Sequence, residues 1–555
     1  MQNHEWWPNA VIYQIYPRSF CDHNGDGVGD LAGVTAKLDY VASLGVDAIW
    51  LSPFFLSPMR DFGYDVADHC AVDPVFGTLE DFDDLVARAH ALGLKVLVDL
   101  VCGHTSDEHP WFRESRAGRA TPRDDWYVWA NARPDGTPPN NWLSVFGGSA
   151  WTWEPRRRQY YLHHFLASQP TLNLRHPAVI DALVDAAEFW LARGVDGFRL
   201  DAIDFLLHDP HLRDNPARLP ADGVAPIKPF ALQQHVHDMT QAETPELLRR
   251  LRGLAERHGG VALLGEMSSQ DGAYERIERY TSAGDALHMA YTLRPMRGTD
   301  AGQSLSRALA EVAAAGEGRG ICWAFSNHDV ERVASRWNPA GQSAAPDPAF
   351  TRLLMAMLLA LRGSVCVYQG EELGLSEAAL ELADLRDPFG IAYYPEFRGR
   401  DGSRTPLPWR ADADHAGFTT GKPWLPVPSD HRAASVSAQE GNGRSALNAW
   451  RGLVAWRKAH PALLDGDLTL LDLPAPLLGF TRACAEESLV LLFNPSAHAA
   501  RISLADYPGV AMLEDAGFAA LLDGDVVLLP PCGLFVGALD SAAATRPRPV
   551  RAVAV

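Results

Sequence analysis

GVDGFRLDAIDF, residues Gly194 to Phe205, holds the pattern that decides the fold. Its centre, Gly197–Asp201, has the alternation of a short buried strand: apolar Phe198 and Leu200 interleave with Arg199 and Asp201, so both charges leave on one face. A cation and a carboxylate two residues apart on an apolar strand are costly to bury unless they serve each other or a ligand. A structural ion pair would account for one such strand. Whether more is needed depends on what stands at the ends of the other strands.

Working outward, strand-like runs alternate with amphipathic helical stretches. Val11–Tyr16 is followed by a helix near Thr35–Leu44 and then Ala48–Ser52; a helix near Leu79–Leu92 leads to Lys95–Leu100. A helix near Pro177–Arg193 precedes Gly197–Asp201, and Val261–Glu266, Ala286–Tyr291, Ile321–Asn327 and Ser364–Tyr368 complete eight strands. This βα alternation predicts an α/β fold, a (β/α)8 TIM barrel. Residues 105–173, rich in Trp, Tyr, Pro and Gly, predict a domain inserted after the third strand. The barrel then occupies 1–104 and 174–465, with an irregular excursion at 208–242 after the fourth strand, "HDPHLRDNPARLP". Beyond a helix near Ala446–His460, short runs such as "SLVLLFN" and "DVVLLPPCGLFVGAL" predict a C-terminal antiparallel β domain over 466–540. The tail, 541–555, is expected to be mobile.

Polar clusters recur at the strand ends. The third strand ends in Asp99 and runs into "LVCGHTSDEHPWF" with His104; the fourth carries Arg199 and Asp201. The fifth ends "LLGEMSS" with Glu266, and the seventh "AFSNHD" with His328 and Asp329. A neighbouring helix N-terminus could satisfy one strand-end polar residue. Four clusters converging on one mouth, the face where barrels build active sites, require a ligand.

Composition bounds the partners. The chain has 555 residues and a formal net charge of −20, which argues against nucleic acid or an anionic membrane surface. No run of 18 apolar residues predicts a membrane span. The N-terminal "MQNHEWWPNA" has neither a basic nor an apolar segment of a signal peptide. Seven scattered cysteines, several inside apolar runs such as "VCVYQG" and "ICWAF", suggest no disulfide framework or zinc site. A cytoplasmic location is expected.

With these residues in view, the chain resembles the α-amylase family of glycoside hydrolases (family 13), and within it the oligo-1,6-glucosidase and α-glucosidase branch. The resemblance extends from "VIYQIYPRSF" and "DHNGDGVGD" through "QPTLNL" to "GRDGSRTPLPW". It implies that Asp201 is a nucleophile forming a covalent glucosyl-enzyme and Glu266 the acid that becomes a base, about 5–5.5 Å apart as in retaining glycosidases. Arg199 would hold Asp201 ionised by lowering its pKa, while Glu266 would be raised. Asp329 would be the third carboxylate, gripping sugar hydroxyls. His104 and His328 would bond the same sugar, Asp65 and Tyr64 of "DFGYDV" would bind hydroxyls and stack beneath it, and Arg400 would pair with a sugar-binding carboxylate. Where the family usually has Asn before the first histidine this chain has Gly103, so an amide bracing the pocket is missing.

The expected reaction is release of glucose from the non-reducing end of short α-glucosides, with transfer to other acceptors. Ala202, following the nucleophile, leaves room that branch members preferring α-1,6 links fill with valine; α-1,4 links are therefore expected to be preferred, as in maltose. Phe146 and Phe165 could flank the aglycone, making alkyl or aryl α-glucosides suitable donors and acceptors suitable too. The loop "DHNGDGVGD" offers Asp22, Asn24, Asp26, the Val28 carbonyl and Asp30 as oxygen ligands. It begins like an EF-hand but has no glutamate at its twelfth position; the resemblance implies one structural Ca²⁺ (or Mg²⁺) away from catalysis. A metal-free turn is the alternative. Sucrose hydrolysis or isomerisation and an α-1,6-preferring oligo-1,6-glucosidase are the enzymatic alternatives. Catalytically silent transporter subunits of this fold would need a membrane helix and usually lack the carboxylates. A monomer or homodimer is expected.

Overall fold

Eight almost wholly buried strands form the centre of the computed structural model, which describes residues 5–219, 226–269, 271–507, 509–513, 518–539 and 551–553. They are β1 Val11–Ile15, β2 Ala48–Leu51, β4 Gly197–Leu200, β5 Ala262–Met267, β6 Met289–Thr292, β7 Cys322–Ala324 and β8 Ser364–Tyr368, with Lys95–Leu100 as β3, where only Lys95 at the entrance is half-buried. Each agrees with a predicted strand to within three residues at either end. Their continuous apolar character is that of a parallel sheet covered on both faces.

All pairings are parallel, in the order β6-β5-β4-β3-β2-β1-β8-β7. A parallel bridge between Ala290 and Ile321 joins the two ends and closes the barrel. Alternation splits each strand between two layers. Ile12, Ala48, Trp50, Leu97, Ala262, Leu264, Met289, Cys322, Ala324 and Cys366 pack together inside the barrel, while their neighbours Val11, Tyr13, Ile49, Val96, Val98 and Leu263 pack outward in the larger core shared with the helices. Continuing the inward rows by steps of two reaches Gln14, Asp99, Arg199, Asp201 and Glu266. The polar cluster is thus the top layer of the barrel interior. Gly197 begins this row because a β-carbon there would lie 2.6 Å from the Ala262 carbonyl of the adjoining strand.

The helices follow local rules. Leu79–Ala91 starts with a capping box between Thr78 and Asp81 and turns Phe82, Leu85, Val86 and Ala89 to the core. The single helix expected near Thr35–Leu44 is instead two, Leu31–Ala36 and Leu38–Ser43, broken where Lys37 leaves helical geometry (φ −111°, ψ 4°). The break aims the Lys37 ammonium at the Trp409 ring, 4.5 Å away.

Three features frame the barrel mouth. Trp129–Ala130, Trp151–Glu154 and Gln159–Leu162 form a small antiparallel sheet after β3, with its own cluster of Val128, Trp142, Trp151 and Leu162. The chain after β4 is tied to it: Asn140 donates to the Leu212 carbonyl, Trp142 to that of Arg213, and Gln233 to that of Asn141. The turn after β8 carries Asp387, which caps the helix Pro388–Tyr393. At the C-terminal side stand a five-stranded sheet around Ser488–Asn494 and a four-stranded one around Ala500–Ser503. The tail differs from expectation. Arg551–Val553 is a strand, antiparallel to Ala500–Ser503, because backbone pairing along an open sheet edge orders even a short segment. Residues 541–550, 554 and 555, also expected to be mobile, lie outside the described residues.

Candidate active site

A cavity of about 1070 Å³ opens above the barrel mouth. Of the residues singled out in the sequence, Tyr64, His104, Phe146, Phe165, Asp201, Glu266, Asp329 and Arg400 line it. Arg199 and His328 lie just behind the wall, both fully buried.

Arg199 organises the floor. Its Nη1 donates to Asp99 Oδ1 at 2.5 Å and to Asp201 Oδ1 at 2.6 Å, and its Nη2 lies 2.6 Å from Glu266 Oε2. Tyr291 on β6 accepts from the guanidinium at 3.0 Å and donates to Glu266 Oε1 at 3.1 Å. Trp50 Nε1 donates to Asp99 and its ring lies beneath the guanidinium. Three carboxylates therefore share one cation in a water-poor site. Burial pushes Glu266 up to about 7 against the attraction of Arg199, with Asp201 and Asp329 adding to the rise. Asp201 departs from expectation: burial raises it too, to about 7, and although Arg199 pulls it down as expected, burial with the charges of Asp99 and Asp329 outweighs that pull.

Ala202, next to Asp201, sits in the left-handed region at φ 40°, which costs a non-glycine residue about 1 kcal/mol or more. That turn sends its N–H to Glu266 Oε2 at 3.1 Å, tying the ends of β4 and β5 together.

Opposite stands Asp329. Burial alone would raise its pKa, but the permanent charges of Arg400, Arg404 and Arg199 overcome this and hold it below the usual carboxylate range. Arg404 Nη2 donates to Asp329 Oδ1 at 2.8 Å and Arg400 Nη1 at 3.2 Å. Arg400 also grips both oxygens of Asp387 and reaches Asp61 Oδ1 at 2.7 Å. Burial keeps His328 neutral by lowering its pKa to about 3. Gln14 Nε2 lies 2.7 Å from its Nδ1, and since the amide donates, the ring proton is on Nε2, a buried atom 3.4 Å from Asp329 Oδ2 that completes no hydrogen bond in this geometry. The ring is stacked 5.2 Å from Tyr64 and 5.7 Å from Tyr16. His104, lowered by burial to about 4, lies 3.1 Å from the Tyr64 carbonyl and 3.2 Å from the Gln169 amide.

Asp65 is corrected. It is fully buried but does not line the cavity; its carboxylate accepts from Ser57 Oγ and from the backbone N–H groups of Arg60 and Asp61. It fixes the turn, and the acid that turn delivers to the cavity is Asp61, bonded to Arg400 and to Gln169. Asp61 and Gln169 were legible as the first residues of "DFGYDV" and "QPTLNL", and Arg404 stands in "GRDGSRTP". Asp387 had no such signal.

The "DHNGDGVGD" loop is wound tight by Gly25 and Gly27, both at positive φ. Asp22 accepts from the N–H groups of Gly25 and Gly27 and from Thr419 Oγ1; Asp30 accepts from those of His23, Asn24 and Gly33. Asn24 and Asp26 face water. Among the described residues no three His, Cys, Asp or Glu side chains gather closely enough to hold a metal. The donors are nonetheless hard oxygens suited to Ca²⁺ or Mg²⁺, and Asp22 Oδ1 and Asp30 Oδ1, which accept one N–H each, keep a free lone pair.

A closed parallel barrel with paired carboxylates at its C-terminal mouth defines a glycoside hydrolase. The chain belongs to the α-amylase family: the match to "Alpha amylase, catalytic domain" covers residues 14–466, and the protein is an α-glucosidase-type enzyme of that family. A probable alpha-glucosidase of Rhizobium meliloti (strain 1021) is 50% identical over 542 residues, 96% of this chain and 97% of that one. The crystal structure of an alpha-glucosyl transfer enzyme, XgtA, superposes with a TM-score of 0.92 at 50% identity, covering 97% of this chain and all of the other. A MutB mutant in complex with the substrate sucrose matches at 30% identity and a TM-score of 0.86, over 96% and 99% of the two chains.

Proposed function

We propose that this protein is a retaining, exo-acting α-glucosidase that releases glucose from short α-1,4-linked substrates and also transfers it to acceptors. The supporting observation is the placement of Asp201 and Glu266 on the two terminal nitrogens of one guanidinium, 2.6 Å from each. One guanidinium gripping both carboxyls draws them to the same point of the floor, the arrangement that the about 5–5.5 Å spacing of a retaining pair calls for. Asp201 attacks the anomeric carbon while Glu266 protonates the departing oxygen. The glucosyl-enzyme is then resolved by water, or by an acceptor hydroxyl, with Glu266 taking the proton. The shared proton that burial keeps on the pair is the one the first step consumes.

Asp329, ionised between two arginines, accepts from sugar hydroxyls, and the unpartnered Nε2–H of His328 donates to one. Tyr64 stacks under the ring. Asp61 and Arg400, the latter braced from behind by Asp387, form the far wall, so a sugar enters only by its non-reducing end. On the other side Ala202, Phe205, Met239, Val145, Phe165 and Phe230 make an apolar wall, a surface that favours an alcohol or an aryl group over water and thus transfer over hydrolysis. The small Ala202 leaves space for an α-1,4 aglycone.

The 22–30 loop is proposed to hold one structural Ca²⁺ or Mg²⁺ through Asp22, Asn24, Asp26, Asp30 and the Val28 carbonyl; the ion would cross-link the end of β1 to Thr419. A thermal transition that rises with millimolar Ca²⁺ and falls with chelator would support it, and one indifferent to both would exclude it. Seven free cysteines fit a reducing compartment, and among the described residues no helix is long and apolar enough to cross a membrane.

The test is the initial rate of glucose release from maltose, isomaltose and sucrose. Faster release from maltose supports the reading, and preference for isomaltose overturns the linkage. The sucrose-bound neighbour favours a second reading, sucrose as donor, which a sucrose rate above the maltose rate would establish.

A further inference from the structure

The aglycone half of the cavity carries two cations, Lys228 and Arg297, that form no ion pair among the described residues; only the negative charges of Asp387 and Glu266 reach them, from a distance. Lys228, on the chain after β4, faces across the mouth to the turn after β8, its ammonium 4.3 Å from the Phe389 ring and 3.6 Å from Phe397. It makes no ion pair or hydrogen bond to any described residue. Burial and the nearby charges of Arg297 and Arg400 lower its pKa to about 8. Arg297, after β6, lines the same cavity open to its water and has no partner among the described residues; burial lowers its pKa, and the only charge felt strongly there is that of Glu266. The other basic side chains of the cavity differ. Arg218 pairs with Asp271, Arg276 bonds Ser269 and the Asp271 carbonyl, Arg336 donates to backbone carbonyls, and Arg400 is saturated by three aspartates. Arg398 and Glu396 face solvent at the rim. Two like charges facing one cavity, Arg297 exposed to its water and Lys228 half-buried against two aromatic rings, present donors that an anion can accept from.

Resting on the glucosidase reading above, we propose that Lys228 and Arg297 recognise an anionic group on the aglycone or acceptor, so that the preferred partner of glucose is an apolar or aromatic body bearing a carboxylate or phosphate. The apolar wall of Phe165, Phe205, Phe230 and Met239 takes the body, and the cation pair takes the charge. The site thereby selects among aglycones that Ala202 alone would accept equally.

The test compares 4-carboxyphenyl, 4-phosphonooxyphenyl and uncharged 4-carbamoylphenyl α-glucosides. In the unaltered protein kcat/KM is expected to be about tenfold or more higher for at least one anionic substrate than for the neutral one, the worth of a charge-assisted hydrogen bond. Which of the two wins distinguishes carboxylate from phosphate. The preference should shrink in 0.5 M NaCl and be lost in Lys228→Met and in Arg297→Gln. Equal or better turnover of the neutral glucoside by the unaltered protein, or an anionic preference that survives both substitutions, would overturn the inference while leaving the glucosidase reading intact. No aryl release from any of the three would instead sink that reading.

Discussion

Arg199 Nη2 stands 2.6 Å from Glu266 Oε2, and the same guanidinium holds Asp201 and Asp99. One planar cation serving three carboxylates is a task a point charge cannot perform. Arg199→Lys should lower kcat/KM by about 100-fold or more, since breaking one partner of a buried pair costs about 3–5 kcal/mol. Measuring the thermal transition alongside separates lost catalysis from lost fold: a variant that melts normally yet keeps full activity would show that the arginine does not organise the pair.

The pH dependence follows from the same buried cluster. Burial raises both Glu266 and Asp201 to about 7, and the two lose their protons in two steps as a pair. Activity requires one proton between them. kcat/KM should therefore form a bell with its maximum near neutrality, falling at lower pH as the nucleophile is protonated and at higher pH as the acid is emptied. A plateau extending unchanged to pH 9 would contradict it. Glu266→Gln should abolish turnover of natural substrates, with azide restoring cleavage of an activated aryl glucoside by attacking the glucosyl-enzyme.

Two aspartates four residues apart should behave oppositely. Asp61→Asn removes an acceptor for Arg400 and from the sugar site; KM should rise about tenfold to a hundredfold, by the 1.5–3 kcal/mol of a charged hydrogen bond, with little change in melting. Asp65→Asn places an amide where two backbone N–H groups need an acceptor, so it should lower stability by about 1–3 kcal/mol. Reversed outcomes would restore Asp65 to the sugar site.

Ala202→Val should be doubly unfavourable. A β-branched side chain is poorly tolerated at φ 40°, and the added methyls enter the aglycone space. Maltose kcat/KM should fall by about 10- to 200-fold relative to isomaltose, the usual discrimination from one or two methyls. An unchanged ratio of the two rates would remove Ala202 from linkage selection.

The barrel was legible because its strands are buried on both faces and read as apolar runs, and because inward alternation carries Asp99, Arg199, Asp201 and Glu266 to one end. The tertiary surroundings were not. Spacing shows Arg199 two residues before Asp201, but not how deeply Asp201 is buried or that Asp99 and Asp329 arrive from elsewhere in the barrel to oppose Arg199, so the expected lowering of Asp201 became a rise. Nor does "DFGYDV" show which aspartate faces the cavity; that depends on Asp65 folding back onto the amides of Arg60 and Asp61. Arg551–Val553 belongs to a strand only because a distant sheet edge is free to receive it.

The most direct test of the central claim is proton NMR of the glucose first released from 4-nitrophenyl α-glucoside, whose only sugar product is the transferred glucose, read before mutarotation. A nucleophile at Asp201 with its acid partner alongside predicts the α-anomer. Initial appearance of the β-anomer would mean a single inverting displacement, and would contradict a covalent intermediate on Asp201.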